Sequence, residues 1–303
     1  PTKTVAYVVP LDFWSAASVL NPACVFAPSG AEDLAIAVKA LKYYGSPFAI
    51  RGGGHMPIGD SNNINSTGVL LSSSGFKRLA LSPDSSTLHV GPGNHWGDVY
   101  NFLNNTGKSI VGGRLGVVGI PGFITGGGIS FFSWKYGWSS ANIASVTVCL
   151  TVNVRKERAD CSEKGVIASG EVVTATPDND FSDLFWALRG GGNSFALITE
   201  FEMITIPAPV VTVGTTSYGT TNLTKERWLD AIYNFALYGG EDCHECTVTP
   251  SASTGTQYPN GTTYTAMKFF DGNDTAPPAL SNWTSPYLNA TSDTFAATTM
   301  TGK

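Results

Sequence analysis

The chain has 303 residues, of which 42% are hydrophobic and 14% charged, with a formal net charge of −5. That is enough apolar material for one large domain or two. The charges are too few and of the wrong sign for a nucleic-acid surface, and the apolar runs are too short to cross a bilayer as helices. The 34 glycines follow no collagen-like period, so they act as local devices.

In chain order, Ser29-Gly30-Ala31-Glu32 reads as a capping box. Leu34, Val38 and Leu41 fall on one face of the helix it opens, which stops near Gly45. Residues 46–50 then read as a buried strand, so Arg51-Gly52-Gly53-Gly54-His55 leaves that strand on a loop. Short strands follow at 68–71 and 87–91, where His89 alternates with apolar neighbours and reads as a sheet residue. Asn94 is placed to cap a helix running to Asn104, with Trp96, Tyr100 and Leu103 on one side.

The stretch from Gly112 to Gly128 is the densest in glycine. Such residues adopt positive φ or let a backbone approach a ligand closely, and their bunched N–H groups suit an anion such as a pyrophosphate. Plain turns between strands are the other reading. Residues 171–175 read as a strand and 181–188 as a short helix ending at Arg189-Gly190-Gly191-Gly192. A long alternating strand then runs to Pro207. Three glycine loops therefore each adjoin a strand, the layout of an α+β fold around a long phosphate-containing cofactor. From Val210 the composition shifts towards Thr, Ser, Tyr and Asn; a helix over 224–238 carries Trp228, Ile232 and Phe235, "TTYTAMKFF" reads as a strand, and beyond it alternation fades.

Five cysteines, Cys24, Cys149, Cys161, Cys243 and Cys246, leave an odd one. Cys243-His244-Glu245-Cys246 invites a metal reading, weakened by the lack of a second such pair; a structural pair and free thiols stay open. Asn-X-Ser/Thr sequons at Asn65, Asn104, Asn222, Asn260, Asn273, Asn282 and Asn289, together with few lysines, suggest a secreted glycoprotein.

The segment from about Pro22 to Pro207 resembles the FAD-linked oxidases of the vanillyl-alcohol oxidase type, with a PCMH-type FAD domain, and above all the fungal relatives of berberine bridge enzyme and 6-hydroxynicotine oxidase. The resemblance is carried by "CVFAPSGAEDLAIAVKALKYYGSPFAIRGGGH", "GPGNHWGDVYNFL", "VGGRLGVVGIPGFITGGGISFFSWKYGW", "GEVVTA" and "DLFWALRGGGNSFALIT". It implies a two-subdomain FAD-binding domain over 1–207, with an unusual insertion at about 147–167, and the start of an α+β substrate domain over 208–303. It further implies that His55 is joined covalently to the 8α-methyl of FAD. Arg51, Gly52, Gly53 and Gly54 would wrap the pyrophosphate, Gly119, Gly122, Thr125, Gly126 and Gly127 would lie along the dinucleotide, and the Ile198 main chain would meet the flavin.

Several positions depart from the family pattern. Leu115 stands where doubly linked relatives have cysteine, so only a histidyl bond is expected. Pro121 removes an amide, Ala196 replaces a glycine near the ring, and Asn142 stands for an aspartate. The charge run Arg155 to Asp160 lies in a stretch that relatives lack, read as an insertion or as translated intron, and residues 155–164 are expected to be an exposed excursion. Relatives continue much further and carry the catalytic base in a later segment, so no catalytic residue is assigned; Cys24 matches a position whose disulfide partner lies nearer the N-terminus.

The resemblance thus implies a monomeric oxidase in which a small alcohol, sugar or alkaloid-like substrate gives hydride to the flavin and dioxygen takes the electrons. A dehydrogenase of the same fold and a truncated, non-catalytic flavin-domain protein are the alternatives.

Overall fold

The computed structural model describes residues 13–150, 170–254, 262–284 and 287–299. The chain divides into two compact units. One is built from the chain up to Ser130 and from Trp138–Ile206; the other from Phe131–Gly137 and the chain from Pro207 on. The expected excursion at 155–164, the Cys161 thiol and the Asn260 sequon lie outside the described residues.

The first unit is α+β and holds two sheets. Strands β1 (Cys24–Phe26), β2 (Phe48–Arg51) and β3 (Val69–Ser72) form a parallel sheet in the order β1-β3-β2. Parallel strands need crossover connections, and helix α1 (Ala31–Tyr43) supplies the one from β1 to β2, which lie on either side of β3. Leu34, Val38 and Leu41, spaced at four and three residues, bury one stripe of α1 against Leu71 of β3 and against Cys149 and Leu197 of the larger sheet. Gly45, at φ +61°, ends the helix in a conformation that side chains disfavour.

The capping box expected at Ser29 is not formed. Gly30 is the N-cap and makes no side-chain bond, while the Ser29 hydroxyl donates to Asp33 Oδ2 at 3.3 Å. The serine sits one residue too early, and a carboxylate in the first turn is the better acceptor within its reach.

The larger sheet runs β4 (Leu79–Leu81), β5 (Thr87–Val90), then β9 (Ala196–Pro207), β7 (Ile143–Leu150) and β8 (Val172–Ala175), with β6 (Lys108–Ile110) also on β9. Its core is closed by α2 (Trp96–Leu103), α3 (Ile120–Thr125) and α5 (Ser182–Leu188), through Trp96, Val99, Leu103, Ile120, Ile124 and Leu188. His89 is a sheet residue as expected, its Nδ1 2.9 Å from Glu200 across the β5–β9 pairing.

Asn94 is not the cap of α2. His95 takes that place, with its side chain on the third helical amide and Asp98 returning to the His95 N–H at 2.9 Å. Burial would raise the Asp98 carboxyl, but the His95 N–H and the Lys77 ammonium together hold it below the ordinary range. Asn94 instead donates to the carbonyls of Gly91, at 2.9 Å, and Arg78.

The second unit contains the short helix α4 (Ser133–Tyr136) and an antiparallel sheet. Strands β10 (Val210–Tyr218), β11 (Cys246–Ser253), β12 (Thr263–Phe270) and β13 (Ala290–Asp293) run in the order β11-β12-β10-β13, and β14 (Ala296–Thr299) also pairs with β10. Helix α6 (Asn222–Asp242), capped by the Thr221 hydroxyl, packs Trp228 and Ala231 on Tyr218, Tyr264 and Ala266 of the sheet. The fading alternation after β12 therefore conceals two further strands, whose Thr, Ser, Ala and Asp residues are largely exposed and show no apolar rhythm. Lys268, only 1% exposed, is matched by Asp293 at 2.8 Å and lies over the Phe295 ring. Cys243 and Cys246 form a disulfide, which resolves the readings left open for that pair.

Candidate functional site

The first unit encloses a cavity of about 320 Å³, within the range of small-molecule sites. Three chain segments that arrive from different strands form it. The first leaves β2 and places Gly52, Gly53, Gly54 and His55 on the wall. Gly54 is buried at φ +73°, a turn that only glycine makes without strain. His55 is half-buried and stacks on Trp14, ring centres 5.3 Å apart.

The second segment runs from Val118 through α3 and contributes Gly119, Pro121, Gly122 and Thr125. It meets the first segment backbone to backbone. A Cβ on Gly53 would lie 2.5 Å from the Gly119 α-carbon, and one on Gly52 would lie 2.6 Å from Pro121 Cγ. The glycines at 52, 53 and 119 are thus needed by the protein itself, so that the two loops can touch. Gly122 differs: a Cβ there would meet nothing within 4 Å, yet the residue lines the cavity inside a helix. A helical glycine costs about 1 kcal/mol relative to alanine, and no protein atom accounts for it.

The third segment is the start of β9, where Ala196, Leu197 and Ile198 complete the wall. The Thr125 hydroxyl donates to Pro121 O and the Thr125 carbonyl accepts from Gly192 N, both at 2.9 Å, so this residue ties α3 to the third glycine run. Pro121 falls in the first turn of α3, where a helix leaves its N–H groups without intrahelical partners in any case.

Of the residues expected here, Gly52, Gly53, Gly54, His55, Gly119, Gly122, Thr125 and Ile198 come together on the cavity wall. Arg51, Gly126 and Gly127 do not line it. Arg51 ends β2 with its guanidinium 5.0 Å from the Phe13 ring centre. Gly126 caps α3, and Gly127, at φ +97°, lies beneath the Trp138 ring, where a Cβ would collide. Leu115 is exposed and offers no thiol. Asn142 is buried and donates to Trp138 O at 2.9 Å.

Sequence reasoning missed Asn62. It lines the cavity at 7% exposure, and neither its Oδ1 nor its Nδ2 has a partner among the described residues. In the sequence it stands in "GDSNN", a string that reads as turn chemistry and carries no sign of burial. His55 is the one ionisable side chain of the lining among the described residues. The wall is otherwise apolar, amide or hydroxyl, with Leu34, Leu71 and Phe76 at one side and Ser72 and Ser73 beside them. An anionic group here would be held by backbone N–H groups.

The profile of the FAD binding domain matches residues 22–152, the stretch that supplies β1 to β7 and two of the three cavity segments. An FAD-dependent monooxygenase, prx3, of Penicillium roqueforti is 33% identical over 278 residues, 90% of this chain and 50% of that protein. The bifunctional solanapyrone synthase of Alternaria solani is 36% identical over 193 residues, 64% of this chain and 34% of that one. The chain therefore spans about half the length or less of the curated relatives it matches. Among solved structures, 6-hydroxy-D-nicotine oxidase from Arthrobacter nicotinovorans superposes with a TM-score of 0.76 at 22% identity, covering 95% of this chain and 58% of that one. BBE-like 1 of Physcomitrella patens gives 0.74 at 24%, covering 95% and 57%. These two share the fold.

Proposed function

Since the chain belongs to the PCMH-type FAD-binding fungal oxidoreductases, related to the berberine-bridge-like and 6-hydroxynicotine oxidase families, we propose that its cavity holds FAD and that it works as a flavin-dependent oxidoreductase. The observation that carries the reading is the juxtaposition on one wall of Gly122, whose missing side chain no protein atom explains, and His55 at the end of the Gly52–Gly54 loop. The residues present fit the group: a glycine loop on the wall, a helical glycine facing open space, and a buried carboxamide without a partner among the described residues.

When bound, flavin would supply a two-electron acceptor for a hydride from a substrate C–H, with dioxygen as the final acceptor. The protein's own contributions are positional. Backbone N–H groups of Gly52 to Gly54 would hold the pyrophosphate, with those of Gly119 and Gly122 along the dinucleotide. Thr125 stands with Gly119 and Gly122 on the wall, and Arg51, Gly126 and Gly127 lie off the lining beside these loops. His55 would be the attachment residue for the flavin, and Leu115, which has no thiol, would leave that attachment single. The Ile198 main chain would meet the flavin, and Leu34, Leu71 and Phe76 would give the bound group an apolar wall.

The substrate is a small alcohol, sugar or alkaloid-like molecule, and the active protein is a monomer outside the cell. No helix among the described residues is long and apolar enough to cross a membrane. Because His55 is the one ionisable side chain of the wall among the described residues, the base that takes the substrate's proton comes from elsewhere. The same observation favours, as the second reading, a chain that binds FAD without turning over.

The test is oxygen consumption by the FAD-loaded protein across a panel of sugars and alcohols. One peroxide per product supports the oxidase. Turnover with an artificial acceptor and no peroxide identifies a dehydrogenase. Labelled oxygen in the product matches the monooxygenase names of the relatives. Flavin without any turnover leaves the binding-only reading.

A further inference from the structure

Asn62 and Asn63 are adjacent, both buried, and treated in opposite ways by the fold. Asn63 is fully employed. Its Nδ2 donates to the carbonyls of Ser18, at 2.9 Å, and Leu20, at 3.2 Å, while its Oδ1 accepts from Ile64 N at 2.8 Å. Ser18 reinforces the same loop by donating to Met56 O at 3.1 Å. This clamp fixes the backbone just beyond Asn62. The Asn62 side chain lies on the cavity wall with both polar atoms unpartnered. A buried amide without hydrogen bonds bears an uncompensated desolvation cost, which an apolar residue of the same size would avoid. The protein retains an amide that a group entering the cavity can satisfy and no described residue does.

A carboxamide offers one acceptor beside one donor in a plane, with no charge. Its complement is neither phosphate nor carboxylate but the edge of a planar nitrogen heterocycle that carries a donor next to an acceptor, as asparagine reads adenine. We infer that Asn62 is a ligand-contacting residue of this cavity and that its amide pairs with such a heterocycle edge. The inference rests on the FAD reading; FAD has two edges of this kind, on the adenine and on the isoalloxazine.

Binding is measured in the His55→Ala background, so that it is reversible, by fluorescence titration with FAD, FMN and ADP, alongside the melting temperature of the ligand-free protein. Asn62→Leu is expected to weaken FAD on the order of tenfold or more while leaving the ligand-free melting temperature equal or higher. Asn62→Asp, which keeps the shape and loses the donor, should weaken FAD as well. A parallel loss for FMN but not ADP assigns the isoalloxazine edge; the reverse assigns adenine. FAD affinity within twofold of the parent for both variants overturns the inference. A sharply lowered melting temperature of the ligand-free Asn62→Leu protein also overturns it, since Asn62 would then serve the fold. A parent that binds neither FAD nor FMN overturns the flavin reading itself, and the inference with it.

Discussion

Gly53 and Gly119, 66 positions apart in the chain, share one contact that neither could make with a side chain. A Cβ on either would stand 2.5 Å from the other's α-carbon. The glycine loops are therefore two kinds of device. Some glycines let the loops touch each other, and Gly122 leaves room beyond them.

This distinction is measurable. Gly53→Ala forces backbone against backbone and should destabilise the ligand-free protein by about 2 kcal/mol, with flavin present or absent. Gly122→Ala should stabilise α3 by roughly 0.5–1 kcal/mol and weaken flavin binding. Chemical denaturation of the two variants, each with and without FAD, checks both signs.

The Lys268–Asp293 pair makes a second prediction. Asp293→Asn leaves a buried ammonium uncompensated and should cost roughly 3 kcal/mol, whereas replacing both partners, Lys268→Met with Asp293→Asn, should cost less. Burial would raise the Asp293 carboxyl, but the Lys268 ammonium, the Phe295 N–H and the Thr216 hydroxyl outweigh it and hold its pKa low. Its contribution to stability is thus complete above the ordinary carboxylate range and is lost as the pH falls through the lowered value. The acid limb of the melting temperature should flatten in Asp293→Asn.

How much of this was legible without coordinates follows from the range of each interaction. The α1 stripe of Leu34, Val38 and Leu41 and the alternation of β9 repeat over many residues, so periodicity alone reveals them. The caps fail by one position, because Ser29 and Gly30, or Asn94 and His95, are equally plausible until the turn geometry is known. Helix α3 is hidden by Pro121 and Gly122, poor helix formers that the core holds in place through Ile120 and Ile124. The Gly53–Gly119 contact and the unpartnered amide of Asn62 are three-dimensional facts with no local signature. The family resemblance located the cavity's glycines and His55, since those lie in contiguous motifs.

Thiol reactivity separates the two described free cysteines. Burial pushes the Cys149 thiol up to about 11, and Cys24 is partly exposed. Alkylation of the native protein at pH 8, followed by peptide mapping, should label Cys24 well before Cys149. Equal labelling would show that the α1 core opens readily.

Secretion predicts glycans. Asn65, Asn104, Asn222, Asn273 and Asn289 are exposed, and at Asn65 the Thr67 hydroxyl already donates to the acceptor amide's Oδ1 at 2.6 Å. Protein from its native host should lose mass on treatment with an N-glycosidase, with conversion at Asn65 among the sites. Unmodified asparagine at all five positions would place the protein in another compartment.

The most direct measurement is acid precipitation of the purified, FAD-supplied protein, with flavin assayed in pellet and supernatant. The account predicts flavin fluorescence in the denatured pellet, traced by peptide mass analysis to the fragment containing His55 and lost in His55→Ala. Flavin released wholly to the supernatant would contradict the covalent bond, and absence of flavin from both fractions would contradict the account.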